Sequence, residues 1–224
     1  MSWENNRKFH DVRTIYLDFD GTLHNSIIIY APSFKKAYDY LVESGKAKPR
    51  IWKDEEISGW LGFTRKEMWD SFMKDLEEQH KNQAGMIIGR EMQELMLSGQ
   101  AHLYENSLHV LSELKKRGFC LVFLSNCSIR YMEASAAAFN LHRYFDDMIC
   151  SEMYDFIPKH EILSLIKKDY PMNQVMVGDR YHDMEAAAKN SIYSVFCSYG
   201  YGRKEEGEGA SACIGSILEL LSIV

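Results

Sequence analysis

The stretch Ile15-Tyr-Leu-Asp-Phe-Asp-Gly-Thr-Leu23 is an apolar run that ends on two aspartates and then reaches a glycine. Because side chains alternate between the two faces of a strand, Asp18 and Asp20 are expected to share one face at its carboxyl end. Two carboxylates placed there can share a hard divalent cation. Gly21 permits a sharp turn, and the Thr22 hydroxyl can hold that turn. Taken alone, the stretch is also compatible with an acidic turn that merely ends a strand.

Three further segments favour the metal-site interpretation. Ser125-Asn126 follows the apolar run Leu121–Leu124, Lys159 comes later, and Gly178-Asp-Arg-Tyr-His-Asp183 follows the run Val175–Val177. In this order, and together with the first stretch, they resemble the four motifs of the haloacid dehalogenase superfamily. Members of that superfamily are mostly magnesium-dependent phosphatases and phosphotransferases. The resemblance extends from about residue 13 to the end of the chain.

Strand and helix patterns alternate from Glu105 onward. Such alternation requires crossover connections and gives a parallel sheet with helices on both faces. The predicted strands are Val12–Leu17, Phe119–Leu124, Met148–Cys150, Gln174–Val177 and Ile192–Cys197. The predicted helices are Ser107–Lys116, Ser128–Phe139, Lys159–Lys168, Asp183–Lys189 and a final helix that ends at Leu221. Gly200–Gly209 is interpreted as a loop, and residues 1–11 as a polar lead-in.

Residues 27–100 carry helical periodicity and no strand pattern. One amphipathic helix contains Ala31, Phe34, Ala37, Tyr38 and Leu41. Further helices are predicted over Asp54–Ser58, after a capping box formed by Thr64 and Glu67, and from about Asn82 to Leu97. The predicted fold is therefore α/β. It combines a Rossmann-like, doubly wound parallel core, formed by residues 1–26 and 101–224, with an all-helical cap domain over residues 27–100.

The composition excludes several classes of protein. Among 224 residues, 46% are hydrophobic and the formal net charge is −6, which lacks the basic footprint of a protein that binds nucleic acid or an anionic membrane. No segment reaches the roughly 18 apolar residues of a membrane span, and the first residues do not resemble a signal peptide. The five cysteines, scattered and odd in number, indicate reduced thiols. We therefore expect a cytoplasmic protein.

The resemblance implies roles for the acidic residues. In the superfamily the first aspartate of the motif, here Asp18, attacks phosphorus and forms an aspartyl phosphate. The second, Asp20, protonates the leaving oxygen and then activates water. The expected cofactor is Mg²⁺, held by Asp18, the backbone carbonyl of Asp20, Asp179 and, directly or through water, Asp183.

The phosphate-binding residues follow from the same resemblance. Ser125 offers a hydroxyl, Asn126 begins a turn whose backbone N–H groups can bind phosphate oxygens, and Lys159 places a positive charge beside them. Proline precedes Lys159 here, whereas it follows the lysine in the usual family pattern. The assignment therefore depends on the position of Lys159, 20 residues before Asp179, and at a helix start. Lys167 and Lys168 are the alternatives.

Other residues near the motifs allow more than one interpretation. His24 either contacts substrate or covers the loop that follows the nucleophile. Arg65 lies near a glycine-bearing turn of the cap, where relatives read the leaving group, but such a residue is more often structural. His182 has no second histidine at ligand spacing, which favours a supporting role over metal binding.

The predicted function is that of a phosphatase, similar to phosphoglycolate phosphatases, whose substrate is a small phosphorylated metabolite. Asp20 argues for this reaction because the dehalogenases of the superfamily lack that second aspartate. A phosphomutase or a pyrophosphatase uses the same chemistry and remains an alternative. A catalytically silent binding module is a more remote one, because all four motifs are intact. The sequence does not indicate the oligomeric state.

Overall fold

The computed structural model describes residues 9–224, and within them six strands form one parallel sheet. The strands are β1 (Thr14–Leu17), β2 (Cys120–Ser125), β3 (Asp147–Cys150), β4 (Gln174–Gly178), β5 (Tyr193–Cys197) and β6 (Ala212–Ile214). Their order in the sheet is β3-β2-β1-β4-β5-β6. The predicted α/β fold with a parallel sheet is confirmed. The winding of the chain reverses beside β1, where open parallel sheets form their ligand-binding crevice.

The register of the central strands aligns their carboxyl ends. Leu17, the last residue of β1, lies opposite Phe123 of β2 and Val177 of β4. Asp18 and Asp179 follow within two residues of these positions. The sheet therefore delivers both aspartates to the same edge, as the sequence predicts.

Nine α-helices accompany the strands in the described part of the chain. They are α1 (Ile27–Glu43), α2 (Asp54–Ser58), α3 (Arg65–Phe72), α4 (Glu78–Leu97), α5 (Ser107–Lys116), α6 (Ile129–Phe139), α7 (Lys159–Ile166), α8 (Tyr181–Asn190) and α9 (Leu220–Ile223). The two faces of the sheet are covered by different helices. Ile15 and Leu17 pack in one cluster with α5, α6 and α9, whereas Tyr16 packs on the other face with α7 and α8. This alternation buries both faces, as in other doubly wound sheets.

The helices α1–α4, called the helical insert below, have an apolar cluster of their own. Phe34 lies at its centre, with its ring centroid 5.2–5.4 Å from those of Trp52, Trp60 and Phe72. The predicted capping box is present, because the backbone N–H of Thr64 donates to the Glu67 carboxylate at 2.8 Å. No described helix is long and apolar enough to cross a bilayer.

Several predicted boundaries differ from the structure. The strand β1 begins at Thr14 rather than Val12, α4 begins at Glu78 rather than near Asn82, and α8 begins two residues earlier than predicted. The strand β6 was not predicted, since three residues at a sheet edge are too few to show a period. The predicted final helix is a 3₁₀ turn, Ile217–Glu219, followed by α9. Residues 1–8 of the predicted lead-in lie outside the described residues.

Candidate active site

Three buried carboxylates meet at the carboxyl edge of the sheet. Asp18 follows β1, Asp179 follows β4, and Asp183 lies in the first turn of α8. One oxygen from each lies within 4.8 Å of the others, and no residue of the three is more than 2% exposed. The parallel register brings Asp18 and Asp179 together, although they are 161 positions apart in the sequence. The convergence expected from the motifs is present.

The acidic cluster fits a divalent cation that prefers oxygen ligands. The Oδ1 atom of Asp179 is buried and has no hydrogen-bond partner among the described residues. Burial raises the pKa of Asp18 to about 6, with Lys159 opposing and Asp183 adding to the effect. Burial and the neighbouring Asp18 raise the pKa of Asp179 well above its ordinary value. A bound cation would offset both the desolvation and the repulsion between carboxylates.

Lys159 is the lysine that reaches this cluster. It is 3% exposed, and its Nζ atom donates to Asp18 Oδ1 at 3.0 Å and to Asp183 Oδ1 at 2.6 Å. Burial acts to lower the pKa of Lys159, but the two carboxylates outweigh it and hold this pKa above its ordinary value. The alternatives lie elsewhere: Lys167 donates to the carbonyl of Asn190 at 3.0 Å, and Lys168 is exposed. The position of Lys159 at a helix start therefore indicated correctly which of the three lysines lies in the acidic cluster.

Asp20 is held by two side chains that the motifs do not contain. The hydroxyl of Tyr131, on α6, donates to Asp20 Oδ1 at 2.7 Å. Burial and the nearby Asp20 raise the pKa of Tyr131 well above its ordinary value, so the phenol keeps the proton that it donates. The Nδ1 atom of His24 lies 3.1 Å from the same carboxylate oxygen and 3.0 Å from the Tyr131 hydroxyl.

The structure places His24 against the loop that follows the nucleophile, and the choice between its two predicted roles remains a prediction. The side chain is 0% exposed, and its ring stacks on Phe19 with centroids 4.9 Å apart. Because Tyr131 gives its only proton to Asp20, Nδ1 of His24 is the donor in this group. In this conformation the imidazole of His24 is fully buried. A direct contact between His24 and a substrate therefore remains a prediction.

Ser125 and Asn126 lie where a cavity of about 620 Å³ opens between the sheet edge and the helical insert. Ser125 ends β2 and is buried. The Asn126 side chain donates from Nδ2 to the carbonyl of Gly62 at 3.3 Å, so it contacts the insert. Arg65 also lines the cavity, with a side chain that is 53% exposed and donates to Asn82 Oδ1. The phosphate and substrate contacts of these residues remain predictions.

The helical insert is fastened to the sheet domain beside the acidic cluster. Arg180, next to Asp179, donates to the carbonyl of Leu61. Glu67 of the insert accepts from the Tyr181 hydroxyl at 2.7 Å and from His182 Nε2 at 2.9 Å. His182 thus has the supporting role that the sequence favoured. The structure therefore shows the insert closed over the site.

The segment Gly200–Gly209, interpreted from the sequence as a plain loop, contributes to the site, and that interpretation was incomplete. The backbone N–H of Tyr201 donates to Asp179 Oδ2 at 2.6 Å. Lys204–Gly207 forms a 3₁₀ turn, from which Glu206 pairs with Arg180 at 3.1 Å. Glycine and charged residues indicated a loop correctly, but no local pattern reveals that a loop packs against a distant carboxylate.

The Asp179 side chain packs closely against Gly21, which explains why the first motif has a glycine there. Gly21 has φ of +82°, and a Cβ added there would lie 2.2 Å from Asp179 Oδ2. Any side chain at this position would therefore both strain the backbone and displace a cluster carboxylate. The sequence indicated the turn, while the packing reason required the structure.

Comparisons with known proteins agree with this geometry. A phosphoglycolate phosphatase of Aliivibrio fischeri is 24% identical over 210 residues, covering 88% of each chain. A phosphoglycolate phosphatase of Vibrio parahaemolyticus is 24% identical and covers 96% of each chain. A solved structure described as a predicted phosphatase from Clostridium acetobutylicum has a TM-score of 0.79 at 22% identity, covering 95% of this chain and 98% of its own, which shows the shared fold.

The sequence profile of the haloacid dehalogenase-like hydrolases matches residues 15–197. This match begins in β1, includes the four motifs and ends with β5. It covers most of the chain, and the protein therefore belongs to the haloacid dehalogenase-like hydrolases.

Proposed function

We propose that this chain is a Mg²⁺-dependent phosphatase that hydrolyses a small phosphomonoester, as phosphoglycolate phosphatases do. The observation that carries the proposal is the convergence of Asp18, Asp179 and Asp183 within 4.8 Å, with Asp20 held beside them. The names of the Aliivibrio and Vibrio relatives support the same reaction.

In this mechanism Asp18 is the nucleophile. The Lys159 ammonium, 3.0 Å from its Oδ1, favours the ionised carboxylate that the attack requires. When bound, Mg²⁺ would be held by Asp18, Asp179, Asp183 and the carbonyl of Asp20, and would neutralise charge on the phosphate. Attack on phosphorus forms an aspartyl phosphate at residue 18.

Asp20 serves as general acid and then as general base. It protonates the leaving oxygen and afterwards takes a proton from the water that attacks the aspartyl phosphate. Tyr131 and His24 hold its Oδ1, which leaves the other oxygen for these proton transfers. Ser125, the backbone after Asn126, and Lys159 bind the phosphate oxygens in this proposal.

We further propose that residues 27–100 act as a cap domain over a core of residues 1–26 and 101–224. The separate apolar cluster of the helical insert and its closure through Glu67 and Arg180 support this division. Closure would exclude bulk water from the reacting phosphate. The free cysteines (Cys120, Cys127, Cys150, Cys197 and Cys213) support the expected reducing, cytoplasmic location.

The test is hydrolysis of 4-nitrophenyl phosphate by purified protein with Mg²⁺ and with a chelator. We expect turnover only with the metal, and a loss of roughly 10⁴-fold or more in Asp18→Asn, the scale of removing a nucleophile. Asp39→Asn, an exposed position on α1, is the matched control and should retain activity. Equal turnover by wild type and Asp18→Asn would contradict the proposal. Transfer of phosphate to a second site of a sugar phosphate, without release, would indicate a mutase instead.

A further inference from the structure

The cavity beside the acidic cluster is larger than a two-carbon leaving group requires. It measures about 620 Å³ and begins at Asp20, Ser125 and Asn126, so it is continuous with the candidate phosphate site. Sites that take drug-sized ligands measure roughly 300–1,000 Å³. Glycolate has the bulk of a few waters, each about 30 Å³ in the liquid, and would leave most of the cavity unfilled. Because Glu67 and Arg180 hold the insert closed, this space does not come from an open cap.

The wall that α4 contributes is apolar and has open space at a glycine. Met86 lines the cavity and is 62% exposed, so its apolar side chain is accessible to a ligand. Gly85 and Gly89 line it too, one turn of helix apart. A Cβ added at Gly89 would meet no atom within 4 Å. Trp69 and Met92 extend the same surface. A flat, apolar group fits against such a wall.

Several polar side chains that line the cavity have hydrogen-bond donors without a partner among the described residues. Arg130 of α6 lines it, and so do Gln83 and Gln93 of α4. None of these three side chains has a hydrogen-bond or ion-pair partner anywhere in residues 9–224. Arg65 and Arg90 add positive charge, while Asp20 is the acidic residue on the cavity wall. The donors favour a ligand with hydrogen-bond acceptors at its edge.

Building on the function proposed above, we infer that the leaving group is a heteroaromatic alcohol or nucleoside, whose ring packs on the Gly89 and Met86 wall of α4. Its acceptor atoms would bind Arg130 and Gln93. The apolar wall alone would take any ring, and the unpartnered donors narrow the class to rings that carry oxygen or nitrogen acceptors.

The first measurement compares kcat/KM, with Mg²⁺, for pyridoxal 5′-phosphate, a nucleoside 5′-monophosphate and 2-phosphoglycolate. We expect at least one ring-bearing ester to exceed 2-phosphoglycolate by roughly 100-fold, since a hydrophobic group of even one methylene gives about 10–200-fold discrimination. If neither these esters nor 4-nitrophenyl phosphate is hydrolysed, the proposed phosphatase function fails. If 4-nitrophenyl phosphate alone is hydrolysed, only the inference is overturned. If 2-phosphoglycolate is hydrolysed at least as well as the ring-bearing esters, the inference alone is overturned.

The second measurement fills the open space. Gly89→Ala and Gly89→Leu should lower the ratio of kcat/KM for the ring-bearing ester to that for 2-phosphoglycolate, by about tenfold or more with leucine. Gln79→Leu adds the same side chain to an exposed position of α4 that does not line the cavity, and should leave the ratio unchanged. Circular dichroism confirms that each variant is folded. An unchanged ratio in a folded Gly89→Leu protein would overturn the inference.

Discussion

On the sheet side of the cavity, Asp18, Lys159 and Asp183 are at most 3% exposed and contact one another directly. On the side of the helical insert, Met86 is 62% exposed, and the Gln93 side chain has no hydrogen-bond or ion-pair partner within residues 9–224. The first side is held in one geometry by buried charges, at a cost in stability. On the second side, the cavity-lining side chains of Gln83 and Gln93 have no such polar contacts within residues 9–224. We infer that the sheet side determines the reaction and the insert side determines the substrate.

The largest loss of stability is expected from Lys159→Gln, which removes the buried ion pairs on the sheet side of the cavity. It would leave the carboxylates of Asp18 and Asp183 without a counter-charge, and loss of one partner from a buried ion pair costs about 3–5 kcal/mol. Urea denaturation in the presence of a chelator measures the loss. Lys167→Gln removes a single hydrogen bond to the carbonyl of Asn190 and should cost about 1 kcal/mol. Equal losses in the two variants would contradict the asymmetry.

The contributions of Asp18 and Glu67 to the free energy of unfolding are expected to change with pH in opposite directions. The folded-state pKa of Asp18, about 6, exceeds its unfolded value near 4, so its contribution to stability is present at low pH and is lost as pH rises through 6. In metal-free protein we expect a loss on the order of 3 kcal/mol between pH 4 and 7 relative to Asp18→Asn. Burial acts to raise the pKa of Glu67, but hydrogen bonds from His182, the Thr64 backbone and Tyr181 outweigh it and lower this pKa. The contribution of Glu67 to stability is therefore lost on acidification. A stability difference that is flat across this range would contradict the expectation.

The residues behind Asp20 give the next effect. Tyr131→Phe removes the hydroxyl that donates to Asp20 Oδ1, and a hydrogen bond to a charged group is worth about 1.5–3 kcal/mol. We expect kcat for an aryl phosphate to fall roughly tenfold or more, since the general acid is less well positioned. Tyr144, like Tyr131, lies outside the four motifs, so Tyr144→Phe is the control and should keep the wild-type rate. A wild-type kcat in Tyr131→Phe would show that Asp20 needs no such support.

The smallest effect is expected at the fastening of the insert. Glu67→Gln weakens the bonds from Tyr181 and His182, and because Glu67 is partly exposed the cost should be only about 1 kcal/mol. Hydrogen exchange should become faster in α3 while the strands stay protected. Asp70→Asn breaks the exposed Lys66 pair on the same helix and should leave hydrogen exchange in α3 unchanged. Unchanged exchange in Glu67→Gln would mean that other contacts hold the insert closed.

Features that depend on a local sequence pattern could be predicted from the sequence. The strands β1, β2 and β4 end within one residue of their predicted ends, and the helix Ser107–Lys116 and the capping box at Thr64 agree with the structure, because each depends on neighbours in the chain. Once the resemblance ordered the motifs, the meeting of Asp18 with Asp179 followed from parallel strand topology. The roles assigned to the site residues and the domain limits remain predictions.

What the sequence did not indicate depends on contacts between distant segments. Tyr131 lies in an amphipathic helix, where a partly buried tyrosine has the same pattern whether or not its hydroxyl meets Asp20. Tyr201 contacts Asp179 through its backbone, which no side-chain pattern can show. Glu67 was recognisable as a helix cap, yet its second set of partners on α8 was not.

In the function proposed above, the two sets of contacts made by Glu67 would link movement of the insert to cation binding. Tyr181 and His182, which grip this carboxylate, directly precede Asp183 in the first turn of α8. A swing of the insert away from the sheet would therefore loosen the same turn that orients Asp183. Linkage is reciprocal, so a cation that rigidifies this turn must favour the closed form to the degree that closure tightens cation binding. Release of product and affinity for metal would then be two expressions of one equilibrium.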